Sequence, residues 1–351
     1  EDVRVALDWT PNTNHVGMFY ADALGLYEAA GLRVQLLSPD SEQYRGSYTE
    51  AAEGGGASSE YVTPCGLVSK GSADLAMNSP EGVVGWNTRA DDAPALKAVA
   101  AVLQRNTSAI VTLKASGIDR PSKLDGKSYA SYAARYEGRI VQKLIQADGG
   151  RGEYSEATPP MLGIWNTLLS GSHDATWIFL GWEGIEAEMK GVELNTFALE
   201  DYGIPYGYAP LLVARPEDTD SVKLRKFMKA TGEGYRQAAL NPEAAAAALV
   251  GGAAKHGSAV ILDKDMCAQS VRYLADKMLA PDGRWGAMSG ERWDAYMEWL
   301  DKNELLTTAQ QSRTPDEAGG TVSLDDLRRG KTGRLVDRAS IPPVFTNSLL
   351  E

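Results

Sequence analysis

The sequence predicts an α/β protein of two lobes between which the chain passes twice, and three observations lead there. The chain has 351 residues, which at roughly 100 to 200 residues per domain makes two compact units or one bilobal one. Its opening reads strand, loop, helix, strand, the βαβ-like start of a parallel sheet. A second series of the same kind follows a polar break at Gln104-Arg105-Asn106-Thr107. Hydrophobic residues make up 43% and charged residues 23%, a mix that can bury a large core and differs from disordered compositions.

Val3 to Leu7 reads as a short strand running into the polar, turn-prone segment Asp8-Trp9-Thr10-Pro11-Asn12-Thr13-Asn14-His15, and Val16 to Leu24 as a helix. Gly25 and Gly31 stand where helical stretches end, and Leu32 to Leu37 alternates toward a second strand. Gln43 to Ser59, with Gly54-Gly55-Gly56 at its centre, reads as a solvated loop or insertion. From Pro64 a helix through Leu67 and Val68 leads past Gly71 into Ala73 to Met77, a buried-strand run. Leu96 to Leu103 and Ser108 to Leu113 are β-prone, with the first crossover near Asn106.

Ser122 to Lys127 reads as a helix end and turn leading to strand Ser128 to Ser131 and a helix from about Arg135 to Ala147. Thr158 to Leu169 carries Met161, Ile164, Trp165 and Leu168 at helical spacing. Ala175 to Phe179 is strand-like, and Leu211 to Ala214 is the return strand. After Pro216 helices dominate: Ser221 to Leu240, Pro242 to Leu249, Asp263 to Leu279 and Gly290 to Asn303. Trp293, Met297 and Leu300 fall at i, i+4 and i+7 and read as a core face. Asp316 to Arg334, with its glycines and clustered charge, reads as loop or tail.

Composition also excludes functions. Acidic residues exceed basic ones by 47 to 35, and the net charge of -12 opposes a nucleic-acid backbone. No stretch approaches the roughly eighteen apolar residues of a membrane span, since Ala244 to Val250 is short and followed by Gly-Gly. Glu1-Asp2-Val3-Arg4 has no basic region leading into an apolar one, so any targeting peptide is expected to have been removed or never to have existed. Cys65 and Cys267 permit one bridge or two free thiols and no zinc knuckle. His15, His173 and His256 are widely spaced, no HExxH, GxSxG or phosphate-loop motif occurs, and Cys65 lacks a neighbouring activator.

The opening Ala6-Leu7-Asp8-Trp9-Thr10-Pro11-Asn12-Thr13-Asn14-His15, followed by Gly17, Gly25 and Gly31-Leu32, resembles the start of the thiamine-pyrimidine family, which contains ThiY-like substrate-binding proteins and fungal pyrimidine synthases. Gly71-Ser72-Ala73-Asp74-Leu75, Leu124-Asp125-Gly126-Lys127, Trp182-Glu183-Gly184 and Asp201-Tyr202-Gly203-Ile204-Pro205 match in the family's order. The resemblance implies a type II periplasmic-binding-protein fold with the ligand in the cleft between two lobes. Residues 1–105 and 212–351 would form the first lobe and 106–211 the second.

The family's synthases use a lysine that holds pyridoxal phosphate, a histidine consumed as a pyrimidine source, and a cysteine-rich iron segment. At the matching positions this chain has Asn78 and Gly82, and Ala198 to Pro210 contains no cysteine. The resemblance therefore implies a substrate-binding protein for a thiamine-precursor aminopyrimidine, of hydroxymethylpyrimidine or formylaminopyrimidine type, with no catalytic residue, metal or cofactor. It would deliver ligand to an ABC importer or a salvage enzyme. The alternatives are a divergent pyrimidine synthase and a binder of another small solute such as a sulfonate. Location stays open: periplasm or cell surface with an importer, cell interior or plastid with salvage.

An aminopyrimidine is flat, with an exocyclic amine donor beside a ring-nitrogen acceptor, so its pocket needs aromatic faces and matching polar groups. Trp9 can stack on the ring, and Asn12 and Asn14 can bond its edge, unless this loop is a plain turn with Asn caps. His15 either bonds ligand or fastens the loop. Glu183, beside Trp182, can accept from the exocyclic amine or else cap a surface helix. Tyr202, Tyr206 and Tyr208 are candidate cleft lining. Ser131, Tyr132 and Arg135 precede a helix whose amides can take a phosphate or ligand carbonyl, or form an ordinary βα loop. Asn78, with Ser79, Pro80 and Glu81, makes a similar loop in the other lobe, with Trp86 nearby.

Overall fold

The structure, a computed structural model, describes residues 1–44, 48, 62–89, 94–313 and 322–351. Its strands are β1 (Asp2–Ala6), β2 (Arg33–Leu37), β3 (Leu75–Asn78), β4 (Lys97–Ala101), β5 (Ser108–Leu113), β6 (Ser128–Ala130), β7 (Ser155–Ala157), β8 (Ala175–Phe179), β9 (Leu194–Phe197) and β10 (Leu211–Ala214). They form two five-stranded sheets, ordered β2-β1-β3-β10-β4 and β7-β6-β8-β5-β9. Each sheet is mainly parallel but takes in, as its fourth strand, the one that arrives from the other lobe. β10 runs antiparallel to β3 and β4, and β5 antiparallel to β8 and β9. The two crossovers therefore end in the middle of a sheet, where Leu212 faces Met77 and Ile110 faces Trp177. Every residue of β10 is buried, as a strand covered on both faces requires.

The helices are α1 (Val16–Ala23), α2 (Leu26–Ala29), α3 (Pro64–Ser69), α4 (Pro80–Thr88), α5 (Glu137–Ala147), α6 (Ile164–Leu169), α7 (Ile185–Met189), α8 (Val222–Leu240), α9 (Pro242–Gly252), α10 (Lys264–Leu274), α11 (Gly290–Lys302) and α12 (Leu324–Arg328). Side-chain caps set many of their starts: Thr63 for α3, Ser79 for α4, Ser221 for α8, Asp263 for α10 and Ser289 for α11. α3 and α4 also place proline in the first turn, where the missing N–H is not needed.

Behind the first sheet, α1 and α8 cross so closely that two glycines are required. A Cβ on Gly17 would lie 2.2 Å from the Tyr235 ring, and one on Gly234 would lie 2.1 Å from the Gly17 carbonyl oxygen. Tyr235 is fully buried there and donates its hydroxyl to the Asn14 carbonyl at 2.6 Å, tying α8 to the loop ahead of α1.

Several local expectations change. Thr158 to Leu169 is helical only from Met161, because Pro159-Pro160 holds the preceding chain extended, and α6 itself begins at Ile164. Ser155–Ala157 and Leu194–Phe197 form the strands β7 and β9, for which their residues carry no strand pattern. Within the stretch read as loop or tail, Ser323 caps the short helix α12, and residues 314–321 lie outside the described residues. Most of Gln43 to Ser59 also lies outside them, but Tyr44 and Tyr48 are buried, and Tyr44 donates to the Leu7 carbonyl. Cys65 and Cys267 are buried thiols that form no disulfide with each other. Residues after α11 reach the second lobe: Arg139 of α5 donates to Thr307 at 3.0 Å, and Arg313 to the carbonyls of Ser131, Tyr132 and Pro159. No helix among the described residues is long and apolar enough to cross a membrane.

Candidate functional site

A cavity of about 240 Å³ opens between the lobes where the two sheets' loops meet. It is smaller than the roughly 300 to 1,000 Å³ of sites for drug-sized molecules, a size suited to a single small heterocycle. From the first lobe it is lined by Asp8, Trp9, Asn12 and Asn14 after β1, and by Asn78, Ser79, Glu81 and Gly82 at the β3–α4 junction. From the second come Tyr132 to Arg135 after β6, and Trp177, Phe179, Trp182 and Glu183 at the end of β8. Tyr206 enters from the returning crossover and Arg313 from the C-terminal segment.

The β1–α1 loop is built by its own side chains. Asn12 Oδ1 accepts the Asn14 N–H at 2.9 Å and its Nδ2 donates to the Thr10 carbonyl, so Asn12 is both a cap and a wall of the cavity. His15 Nδ1 accepts the Asn12 N–H at 3.2 Å, which leaves the ring proton on Nε2 to donate to Asp8 at 2.9 Å. His15 is fully buried away from the cavity and fastens the loop, so it is not placed to touch a ligand. The side-chain amide of Asn14, by contrast, makes no hydrogen bond among the described residues and borders the cavity. Trp9 is half-buried, edge-on to Tyr48 at 6.2 Å and to Tyr132 of the other lobe at 5.6 Å.

Glu183 lies in a single π-helical turn, Leu180–Gly184, between β8 and α7. It is 7% exposed and accepts the Phe179 N–H at 3.0 Å. Burial pushes its carboxyl up to about 7, against the pull of that amide. The reading of Glu183 as a surface cap is thus ruled out by its position. Trp182 borders the same cavity and packs against the first lobe's core.

Glu81, which the sequence offers only as part of the loop after β3, has a larger place in the site. It is 4% exposed in the first turn of α4, accepts the Tyr206 hydroxyl, and is pushed by burial to about 7. Its helical position reads in sequence as an ordinary complement to the helix dipole, and only the closed lobes bring Tyr206 to it. Tyr206 also lies 5.3 Å from Trp177, another wall residue that its strand context reads as core. Asn78 borders the cavity, with Nδ2 donating to Cys65 Sγ at 2.8 Å and Oδ1 accepting the Ser79 N–H. Gly82 is needed beside it, because a Cβ there would lie 2.3 Å from Asn78 Oδ1.

Three expected positions are corrected. Tyr202 ends a 3-10 turn outside the cavity wall, and Tyr208 instead accepts the Ser289 N–H and lies under the Arg292 guanidinium. Ser131 is fully buried; its Oγ accepts the Ala133 N–H at 2.9 Å and it is not part of the wall. The loop amides after β6 do not await a phosphate, because Glu137 takes those of Tyr132 and Ala134 at 3.1 and 3.0 Å. No group of three or more metal-ligating side chains occurs among the described residues.

Comparison with known proteins agrees with this architecture. The chain is 24% identical over 310 residues to a formylaminopyrimidine-binding protein from Halalkalibacterium halodurans, covering 87% of this chain and 86% of that one. It is 21% identical over 231 residues to a putative thiamine biosynthesis protein from Haemophilus influenzae, covering 66% and 67%. The periplasmic aliphatic sulphonate binding protein SsuA from Escherichia coli superposes with a TM-score of 0.59 at 13% identity, over 99% of this chain and 94% of that one. That likeness shows a bilobal periplasmic-binding-protein fold. The family model described as NMT1/THI5 like matches residues 12–245, about two thirds of the chain, and the chain belongs to that family.

Proposed function

We propose that this protein binds a thiamine-precursor aminopyrimidine between its lobes and releases it unchanged, in uptake or salvage. The observation that carries the reading is Glu183, a buried carboxyl on the wall of an interlobe cavity otherwise rich in aromatic rings. A carboxyl that titrates near neutrality can present O–H beside C=O, the complement of a ring nitrogen beside an amine. One proton is shared by the pair wherever it resides, so recognition needs no isolated buried charge. Asn14 supplies a further donor and acceptor at the ring edge, and Trp9, Tyr132, Trp177 and Tyr206 supply faces and edges. The named relative from Halalkalibacterium halodurans supports a pyrimidine ligand.

Catalysis is no part of the reading. Asn78 is held by Cys65 and Ser79, and the close approach of Gly82 leaves no room for a side chain that could react there. Delivery to an ABC importer would suit the fold, and a salvage enzyme would suit the same binding chemistry.

The test is titration calorimetry with hydroxymethyl- and formylaminomethyl-aminopyrimidine on the wild type and on Glu183→Ala, which removes both the donor and the acceptor. Binding by the wild type and a loss of roughly 5- to 150-fold in the variant, equivalent to about 1 to 3 kcal/mol for an unsatisfied ligand group, are expected. No heat with any aminopyrimidine, or equal affinity in the two proteins, rejects the assignment.

A further inference from the structure

We propose that Glu137 acts as a built-in anion that restricts the cavity to pyrimidines with an uncharged 5-substituent and turns away their phosphate esters. The inference rests on the aminopyrimidine reading and specifies which members of that class are taken.

The loop between β6 and α5 has the form of an anion cradle. Ala133 is held at a φ of 58°, and the turn gathers consecutive amides on one side. Those donors are already used. Glu137 Oε1 accepts the Tyr132 N–H at 3.1 Å and the Tyr129 hydroxyl at 2.7 Å, and Oε2 accepts the Ala134 N–H at 3.0 Å. The amide between them, of Ala133, is bound by Ser131 Oγ. Two amides and a phenol around a pair of oxygens form the set of contacts that a phosphate would seek. Here the chain's own carboxyl fills it, 1% exposed and on the cavity wall; burial raises its pKa, and the three donors to its two oxygens pull it back toward the charged form.

A phosphate ester would therefore have to eject a buried carboxylate or lie next to it. The rest of the wall does not compensate. Asp8 adds an acidic group, and Glu81 and Glu183, raised toward neutrality by burial, add two more that oppose a phosphate less strongly, against Arg135 and Arg313. Arg313 spends Nε and Nη2 on the carbonyls of Tyr132, Ser131 and Pro159, and the Arg135 guanidinium lies 5.9 Å above the Trp86 ring. A neutral hydroxymethyl or formylamino group meets no such opposition.

The experiment compares hydroxymethyl-aminopyrimidine, its phosphate ester and inorganic phosphate on the wild type, Glu137→Ala and Glu137→Gln. The wild type is expected to bind the alcohol at least 100-fold more tightly than the ester and to gain no thermal stability from phosphate. Emptying the cradle should narrow that ratio at least tenfold and let phosphate raise the melting temperature. If Glu137→Ala does not fold, Glu137→Gln, which keeps an acceptor and removes the charge, reads the same ratio. Equal binding of alcohol and ester by the wild type overturns the proposal, as does an unchanged ratio in the folded variants. If no pyrimidine binds at all, the ligand assignment fails separately. The phosphate arm then decides this inference: stabilisation of a variant but not of the wild type supports it, and any other pattern overturns it.

Discussion

Glu81 and Tyr206 form a pair whose worth can be read without any ligand. The hydroxyl is the foremost donor to a buried carboxyl that otherwise draws on its own backbone N–H and Ser79. Removing it in Tyr206→Phe leaves that carboxyl short of a partner, which typically costs about 1 to 3 kcal/mol. Urea denaturation is expected to show a lower midpoint at unchanged slope; an unshifted midpoint would mean that the bond contributes nothing. Glu81 should also become harder to ionise, since the Tyr206 bond is the largest influence holding its pKa down against burial. His15 belongs to the same scale with a different role. It holds the loop from within through Asn12 and Asp8, so His15→Ala should lower stability and affinity together, whereas a ligand-contacting residue would lower affinity alone.

The α1–α8 crossing supports the loop that bears Trp9 and Asn14. Gly17→Ala would drive a methyl group into the face of Tyr235, and the stiff aromatic ring cannot give way without loosening its bond to the Asn14 carbonyl. A loss of about 1 to 3 kcal/mol is expected, the usual cost of overpacking, measurable by thermal or urea unfolding. An alanine variant as stable as the wild type would show that the helices can part freely.

Legibility in the sequence follows the same physics, element by element. β8 and β10 are apolar runs buried on both faces, and their residues announce them. β7 and β9, Ser-Glu-Ala and Leu-Asn-Thr-Phe, are short edge strands half open to solvent, so they carry no such pattern. On the cavity wall, Trp9, Asn14, Tyr132, Trp182 and Glu183 are legible because they follow closely on the ends of β1, β6 and β8, and Tyr206 because it lies on the segment returning to β10. The burial of Glu81 and the place of Glu137 are not, because a carboxylate in the first turn of a helix is commonplace, and its burial depends on the facing lobe or on a loop's turn. Tyr202 misled through proximity in sequence to Tyr206, from which a left-handed Gly203 separates it.

On the scale of the whole molecule, three buried carboxyls set a dependence of stability on pH. Glu81, Glu156 and Glu183 are each raised from 4.5 to about 7 by burial. The folded form thus holds protons that the unfolded chain gives up above 4.5. Their contribution is complete below that pH and is lost as pH rises through 7. His256, lowered by burial, works the other way, losing stability as pH falls through its range. Asp148, held low by Arg120, matters only below about 4. Burial raises Glu137 and Glu200 as well, so with five carboxyls against one histidine the unliganded protein is expected to be more stable at pH 5 than at pH 8, and Glu183→Gln should remove on the order of 3 kcal/mol of that difference. Urea midpoints across this range measure it, and stability rising toward pH 8 would contradict it.

The two lobes meet where Trp9 lies against Tyr132 and Tyr206 bonds Glu81 around one hollow. The most direct measurement is a crystal structure of the protein with hydroxymethyl-aminopyrimidine. A flat ring is expected among Trp9, Tyr132 and Tyr206, with its exocyclic amine and adjacent nitrogen hydrogen-bonded to Glu183. A ring held elsewhere, or one in this cavity whose amine is bonded to other groups while Glu183 faces away, would contradict it.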